Sequence, residues 1–214
     1  MADEVVTVAD ALARLSAGLS STQKHSIGSF HEFILNIWSQ SFERPELFDT
    51  WHVGVIAEDA ERALADRKNY VAILPRFHFK STLLGHAFSV WRLLTATRDM
   101  SILYLSYSDT MARYHISEIN KTVNRNPILM DMLTARNSRA EFQFRYTVNS
   151  KPVEILHGGL FSFKRGMHVN GALIADDILR DPENPLQLGE INKIEDHFMT
   201  ETMFIPNQTA PVIV

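Results

Sequence analysis

Cysteine is absent from this sequence of 214 residues, so neither a disulfide bond nor a thiolate metal site can form. The absence agrees with a reducing compartment such as the cytosol. Glycine and proline are also scarce, with 9 and 8 residues, and no repeat or low-complexity segment is visible. Hydrophobic residues make up 45% of the chain, which is typical of one globular domain with a substantial core.

Three further features are missing: a long apolar run, a secretion signal and an excess of positive charge. No apolar run approaches the ~18 residues of a membrane-spanning helix, and the acidic, amphipathic N-terminus differs from a secretion signal. The formal net charge of -4 excludes a uniformly basic coat for nucleic acid. A local basic surface remains open, either as a solvated face or in contact with DNA phosphates. Its residues would be Arg136, Arg139, Arg145, Lys151, Lys164 and Arg165.

The periodicity of apolar residues divides the chain into two parts. Residues 1–67 form a predicted N-terminal helical segment, since apolar residues recur there at spacings of three and four. Residues 68–214 alternate short apolar runs with helical stretches. The predicted strands are YVAILP, SILYLSYS and GALIADDIL, and the predicted helices are STLLGHAFSVWRLLTA, DTMARYHISEINKTVN (capped by Asp109 or Ser108) and a stretch from about Glu190 to Met203. Buried strands separated by helices predict an α/β fold with a mainly parallel sheet flanked by helices.

A different pattern lies between the second and third predicted strands. AEFQFRYTV alternates Phe142, Phe144 and Tyr146 with polar residues, which is the period of a half-exposed strand. We interpret these aromatics as part of a core or interface strand and not as a platform for stacking bases. PVEILHGG and LFSFKRG continue the pattern and predict an antiparallel hairpin.

The stretch ILPRFHFKSTLLGHAF has the layout of a phosphate-binding loop, with a strand, a loop and a helix in succession. In such a loop, backbone N–H groups and the helix N-terminus attract an anion. Lys80 could reach the outer phosphates and Ser81 could ligate magnesium. The usual pattern, G-x-x-x-x-G-K-[ST], has glycines where this chain has Leu74 and Phe79. Taken alone, the stretch also fits a solvated lysine in a first helical turn.

Two carboxylates, Asp176 and Asp177, follow the apolar run of the strand ALIADD. A phosphate loop needs an aspartate at the end of a second strand to hold magnesium, and a neighbouring carboxylate to orient the attacking water. We expect this strand to lie beside the loop strand. A pair of carboxylates at the end of a buried strand is costly unless a cation or hydrogen-bond donors offset the charge. A single aspartate there would fit a turn or a helix cap, but the pair and the loop together predict a nucleotide hydrolase.

These segments together resemble the ATPase domain of the phage terminase large subunit, the motor that packages viral DNA. The resemblance covers roughly residues 28–214 and includes PRFHFKST, LYLSYSDTMARYHISEINKTVNRNPIL, FKRGMHVNGALIADDI and the final APVIV. In that family the loop is often degenerate, with Pro-Arg before Gly-x-Gly-Lys-Ser-Thr. This chain matches the Pro, Arg, Lys, Ser and Thr but has Phe77 and Phe79 at the glycine positions. The resemblance implies an ASCE-type P-loop NTPase fold.

The resemblance also implies roles for single residues. Lys80 becomes the phosphate lysine and Ser81 the magnesium hydroxyl. Asp176 becomes the magnesium aspartate, and Asp177 becomes the catalytic carboxylate, where many relatives carry Glu. Arg76 would contact the terminal phosphate.

Other residues gain a role from the same resemblance. Arg165 matches a position proposed to reach into a neighbouring subunit's site, which implies a ring. Trp51-His52 resembles the segment that contacts adenine. The ATP-binding loop would comprise Pro75, Arg76, Phe77, His78, Phe79, Lys80, Ser81 and Thr82. Phe77 and Phe79 are expected to pack against neighbouring elements or to close the loop partly, which would leave a narrow site.

The implied cofactors are ATP and Mg²⁺, and the implied partners are double-stranded viral DNA, the portal ring and the small terminase subunit. The chain would form a homo-oligomeric ring when assembled and be a monomer in isolation, without a membrane, in the cytoplasm of the host cell. The family's coupling segment and nuclease domain would follow residue 214. We therefore expect ATP hydrolysis from this chain, but neither DNA cleavage nor translocation by it alone.

Three other functions are weighed against this one. A helicase-type ATPase would need further motifs and a second sheet domain. A metal-dependent nuclease could use Asp176 and Asp177 as ligands but leaves Lys80 and Ser81 unexplained. A non-catalytic nucleotide-binding module would explain the phenylalanines of the loop. The nine histidines show no ligand spacing that would predict a zinc site.

Overall fold

The computed structural model describes residues 27–135, 142–162, 167–179 and 187–214. The predicted N-terminal helical segment therefore lies partly outside the described residues, up to residue 26. No helix among the described residues is both long and apolar enough to cross a membrane.

The described part of the chain begins with three helices and continues with strands and helices. The helices are α1 (Phe30–Asn36), α2 (Trp51–Ala65), α3 (a π-helix, Ser81–Ala87, continued by an α-helix, Phe88–Leu94), α4 (Asp109–Arg125), α5 (Pro127–Met132) and α6 (Leu188–Thr200). Short 3-10 turns occupy Trp38–Ser41, Pro45–Phe48 and Thr202–Phe204. The strands are β1 (Met100–Ser106), β2 (Thr134–Ala135), β3 (Phe144–Val148), β4 (Lys151–Gly159), β5 (Ala172–Ala175) and β6 (Val212–Ile213). After α3, the order along the chain is β1, α4, α5, β2, β3, β4, β5, α6 and β6.

The strands form one sheet in the order β2-β3-β4-β1-β5-β6. β1 runs parallel to both of its neighbours, β4 and β5, and β5 runs parallel to β6. The pairs β2-β3 and β3-β4 are antiparallel. The prediction of an α/β fold with a mainly parallel sheet flanked by helices is confirmed.

The hairpin lies at a different place from the predicted one. β3 pairs with β4, and the turn between them has positive φ at Asn149 and Ser150, 47° and 65°. Two successive left-handed residues make the kind of turn that matches the twist of an antiparallel pair. The prediction that PVEILHGG pairs with the following LFSFKRG is therefore wrong, because PVEILHGG lies in β4, which pairs with β3 on one side and β1 on the other. Residues 163–166 of the second lie outside the described residues.

The segment before the loop, YVAILP, differs from the buried strand that was predicted. It joins the sheet through a bridge between Tyr70 and Ile213, beside β6. Val71 and Ile73 are exposed, whereas Tyr70, Ala72 and Leu74 pack against the core. Successive side chains of an extended segment face opposite sides. A continuous apolar run therefore does not distinguish a segment buried on both sides from this half-exposed one.

β1 shows why a strand that is covered on both faces is mostly apolar. Ile102 and Tyr104 face the core under α1 to α4, and Leu103 and Leu105 face a second core with Ile194 of α6. A parallel strand covered on both faces has no polar face. Phe144 and Tyr146 of β3 are buried in the first core, with ring centroids 4.5 Å apart. The interpretation of these two aromatics as core residues is confirmed.

Candidate functional site

The candidate site lies where the loop before α3 meets the ends of β1 and β5. Ser108 caps α4 directly after β1, and its side chain accepts a hydrogen bond from the Met111 N–H. Ligands of open α/β sheets bind outside the carboxyl ends of the parallel strands. The fold therefore brings the predicted phosphate loop and the predicted carboxylates to the edge where a ligand is expected.

The loop has a glycine-like backbone without glycines. Phe77 and Phe79 have φ values of 69° and 59°, both in the left-handed region. This conformation costs a non-glycine residue about 1–2 kcal/mol, and such strain concentrates at functional sites. The sequence raised the question of whether phenylalanine would prevent the backbone from wrapping a phosphate. The structure shows that both residues adopt the conformation for which glycine is usually chosen.

The two phenylalanine side chains have different surroundings. Phe79 stacks on Phe48 with ring centroids 5.0 Å apart, and it packs against the main core. Phe77 is 97% exposed. The expectation of packing against neighbouring elements is confirmed for Phe79 but not for Phe77, whose side chain no described element covers; Phe77 lines the cavity beside the loop instead.

The cavity beside the loop has a volume of about 1080 Å³. That is at the upper end of the ~300–1,000 Å³ of small-molecule sites, so the expectation of a narrow site is wrong. Its lining comprises Leu74, Pro75, Arg76, Phe77, His78, Phe79, Lys80, Ser81, Thr82, Tyr107, Met111, Asp177 and Leu179.

Lys80 joins the loop to both carboxylates. Its Nζ lies 2.6 Å from Oδ1 of Asp177 and 3.2 Å from Oδ1 of Asp176. Burial lowers the pKa of Lys80, but the hydrogen bond to Asp177 and the charges of both carboxylates outweigh that effect and raise it. The ammonium group is therefore held in its charged form between two groups that are 96 and 97 residues away along the chain.

Asp176 is the buried member of the carboxylate pair, with 5% of its surface exposed. It accepts hydrogen bonds from Ser81 and from the Tyr104 hydroxyl, the latter at 2.7 Å. Burial raises the pKa of Asp176, but these two bonds and the charge of Lys80 outweigh it, and the net pKa is lowered. Asp176 is thus a buried, ionised carboxylate in contact with the hydroxyl of Ser81, the other residue that the sequence analysis singled out for magnesium.

Asp177 differs from Asp176 in both backbone and exposure. Its φ is 46°, in the left-handed region, and its side chain is 69% exposed. The unusual φ breaks the strand alternation directly after β5, and it allows both carboxylates to face Lys80. Asp177 lines the cavity, so a water molecule or phosphate there would meet it from the solvent side.

The other predicted residues have mixed outcomes. His52 meets His78 of the loop at 5.6 Å between ring centroids, whereas Trp51 is 82% exposed and is not among the described residues that line the cavity. The His78 ring contacts the Arg76 carbonyl at 3.0 Å. Arg165, like Arg136, Arg139 and Lys164 of the basic segment, lies outside the described residues.

A buried network behind Asp176 was missed by the sequence reasoning. His86 of α3 and His115 of α4 share a hydrogen bond of 3.0 Å, and the His115 ring stacks on Tyr104. Burial lowers the pKa of His86 to about 3, so this side chain is neutral. Burial and the charge of Asp176 raise the pKa of Tyr104, so its hydroxyl remains a donor. The signal in the sequence was a tyrosine inside the apolar run SILYLS, where a hydroxyl needs a partner.

No protein-family model matches the chain, and no curated protein matches it either.

Proposed function

We propose that this chain is a P-loop ATPase, which cleaves the β–γ phosphoanhydride of ATP with magnesium and an activated water. The observation that carries the proposal is the contact of Lys80 with both Asp176 and Asp177, with Ser81 bonded to Asp176 as well. A lysine and a hydroxyl at a helix start, facing a carboxylate at a strand end, form the set that phosphoryl transfer with magnesium requires.

The sheet order is compatible with this proposal, and it corrects one expectation from the sequence. β6 lies between β5 and the segment that leads into the loop, since Tyr70 bridges to Ile213 and Ile174 of β5 also pairs with Ile213. The strand that carries the carboxylates is therefore not the direct neighbour of the loop segment, contrary to our expectation from the sequence. The mainly parallel sheet flanked by helices remains compatible with a P-loop NTPase, although the same architecture also occurs in other α/β proteins.

The residues present suit magnesium and a nucleotide. Asp176 and Ser81 offer the hard oxygen ligands that Mg²⁺ prefers, and this metal usually takes one or two protein ligands together with phosphate oxygens. When bound, the metal would supply charge that stabilises the terminal phosphate. Lys80 would leave the carboxylates for the phosphates, because its positive charge competes with a cation at Asp176. Asp177 would orient the attacking water and accept its proton.

Within this class, we propose the ATPase domain of a phage terminase large subunit. The support is the ordered set of segments in the sequence, from PRFHFKST to GALIADDI, and the position of Arg76 on the cavity. On this proposal, the domain drives double-stranded DNA into a procapsid from a ring on the portal. Arg165 would then complete a neighbour's site.

The first experiment measures phosphate release from ATP by the purified chain, with Mg²⁺ and with EDTA. Equilibrium binding of a fluorescent, nonhydrolysable ATP analogue is measured alongside. We expect binding and turnover that depend on Mg²⁺ in the parent. Binding without turnover would favour a non-catalytic module, and the absence of both would contradict the P-loop assignment.

A second experiment tests the terminase proposal within the ATPase class. Subunits with Arg165→Ala and subunits with Lys80→Ala are mixed and assembled on portal rings. Each is inactive alone, but a mixed ring can place an intact Arg165 beside an intact Lys80 and recover turnover. If rings that are shown to be mixed recover no turnover, Arg165 does not act in a neighbour's site. Stimulation by single-stranded DNA and strand separation would instead favour a helicase-type ATPase.

The described residues give no support to the nuclease alternative. Among them, no group of three or more His, Asp or Glu side chains could hold a metal ion. A nuclease would also leave the ion pairs of Lys80 without a role.

A further inference from the structure

Tyr104 contacts the candidate magnesium ligand from the side opposite the loop. Its hydroxyl donates to Oδ2 of Asp176 at 2.7 Å, while Lys80 lies 3.2 Å from Oδ1 of the same carboxylate. Tyr104 has no exposed surface and Asp176 very little. Oδ2 of Asp176 thus accepts from a buried donor on β1, with His115 Nε2 at 3.9 Å, while Oδ1 pairs with the cation of the loop.

The helix that follows the loop leaves space for this hydroxyl. A Cβ added to Gly85 would lie 2.6 Å from the Tyr104 hydroxyl oxygen, closer than any side chain could tolerate. Gly85 falls within the π-helical part of α3, Ser81–Ala87, and single π turns are frequent at functional sites. A glycine inside a helix costs about 1 kcal/mol relative to alanine. Gly85 therefore leaves the room that the Tyr104 hydroxyl needs beside α3.

The tyrosine ring is also held in one orientation. It stacks on His115 with ring centroids 5.1 Å apart and an interplanar angle of 27°, and His86 lies on another side at 6.2 Å. His115 and His86 bond to each other, so the ring is enclosed by side chains from α3 and α4. A hydroxyl on a ring fixed in this way can hold a carboxylate oxygen in a single position.

We propose that Tyr104 is a positioning residue of the ATPase site, which fixes Oδ2 of Asp176 so that Oδ1 faces the loop and its bound magnesium. The proposal rests on the proposed function. Without the hydroxyl, Oδ2 stays buried without this donor, and the carboxylate can rotate away from the loop. Partners behind a metal ligand typically contribute about 10–100-fold to metal affinity.

The test is Tyr104→Phe, which keeps the ring and removes only the hydroxyl. The first measurement is the affinity of the chain for a fluorescent, nonhydrolysable ATP analogue at increasing Mg²⁺ concentrations. The value compared between variants is the Mg²⁺ concentration at which half of the gain in affinity is reached. We expect this concentration to rise by about 10-fold or more, whereas binding of the analogue in EDTA stays at the parent value. In turnover assays, excess Mg²⁺ should restore most of kcat, because the hydroxyl does not touch the reacting atoms.

The matched control is Tyr146→Phe. Tyr146 of β3 is also buried, and its hydroxyl donates to Asn120 of α4 at 3.3 Å, away from the loop. This variant should lose a similar amount of stability and retain the parent's dependence on Mg²⁺. An equal shift in both tyrosine variants would show a general loss of stability and would overturn the positioning role.

A second variant keeps the proposal testable if Tyr104→Phe does not fold. Gly85→Ala retains every polar group of the site and pushes the Tyr104 hydroxyl away from its place. We expect it to raise the Mg²⁺ concentration needed for tight binding of the analogue, as Tyr104→Phe does. If either variant folds and depends on Mg²⁺ in the same way as the parent, the role of Tyr104 is overturned and the ATPase proposal stays intact. Failure of the parent itself to bind the analogue with Mg²⁺ would overturn both.

Discussion

The loop of residues 75–80 and the end of β5 contribute opposite sides of one site, and they differ in how their functional groups are held. Phe77 at the loop tip is 97% exposed and has a left-handed backbone. Asp176 at the strand end is buried and bonded to Ser81 and Tyr104. The loop contacts the rest of the fold through the stack of Phe79 on Phe48 and the ion pairs of Lys80, whereas the strand end is held by a buried hydrogen-bond network.

This difference suits the chemistry that we propose. A strand end enclosed by the sheet and by α3 keeps a metal ligand in a fixed place. A loop with few buried contacts belongs to the less stable parts of a fold, which are the parts that rearrange when a ligand binds. Lys80 connects the two sides through its ion pairs with Asp176 and Asp177, and on the proposed function it would exchange these carboxylates for phosphates. We therefore expect the largest effect from a substitution of Lys80, which connects the two sides, and smaller effects from substitutions on either side.

The largest effect is expected from Lys80→Ala, which removes the connection. Turnover should fall by about 10³-fold, since the charge that stabilises the transferred phosphate is lost. The fold should persist, because Asp176 retains its bonds from Ser81 and Tyr104. Phosphate release and circular dichroism measure the two quantities. Lys68→Ala is the control, since Lys68 forms only an exposed pair with Asp66; equal turnover in the two variants would contradict the site.

Substitution of each carboxylate by the neutral asparagine should have a different effect. Asp177→Asn should retain binding of the ATP analogue and lose about 10²-fold or more in turnover, as expected for a general base. Asp176→Asn should instead lose the dependence of binding on Mg²⁺. Equilibrium binding with and without Mg²⁺ distinguishes the variants. Loss of binding in Asp177→Asn would assign the metal-ligand role to Asp177.

The buried side should make stability depend on pH through His86. Its folded pKa of about 3 lies below the unfolded value of 6.5, so the stability it contributes is present above pH 6.5 and is lost as the pH falls towards 3. At pH 5 the loss is about 2 kcal/mol. His86→Leu should flatten the fall in the free energy of unfolding between pH 6.5 and 5, measured by urea denaturation. A slope in His86→Leu equal to that of the parent would contradict this role of His86.

The smallest effects are expected within the loop, where the two phenylalanines should respond with opposite sign. Phe77→Gly removes a strained conformation and no packing, so it should stabilise the chain by about 0.5–1 kcal/mol. Phe79→Gly relieves the same strain but loses the stack on Phe48 and buried apolar surface, so a net loss of about 1–2 kcal/mol is expected. Urea denaturation of both variants measures the difference. Equal changes would show that the stack contributes nothing to the loop.

Some of this fold and site follows from local patterns in the sequence. The apolar runs of β1 and β5 were recognised because a strand covered on both faces needs no polar side. The Ser108 cap follows from the preference of a short hydroxyl side chain for a helix start. Lys80, Ser81, Asp176 and Asp177 were singled out by residue type and by their place at the ends of predicted elements. These inferences require only neighbours along the chain.

What the tertiary structure decided depends on partners far apart in the sequence. The insertion of β6 beside β5, the half-exposed segment before the loop and the pairing of β3 with β4 are choices among strands with similar patterns. The stack of Phe79 on Phe48 and the approach of Tyr104 to Gly85 and Asp176 join different elements. The left-handed backbone at Phe77, Phe79 and Asp177 opposes the local preference of these residues. Local preference indicates which segments form helices and strands, but only the packing of the whole chain can hold a residue in a conformation that its own chemistry disfavours.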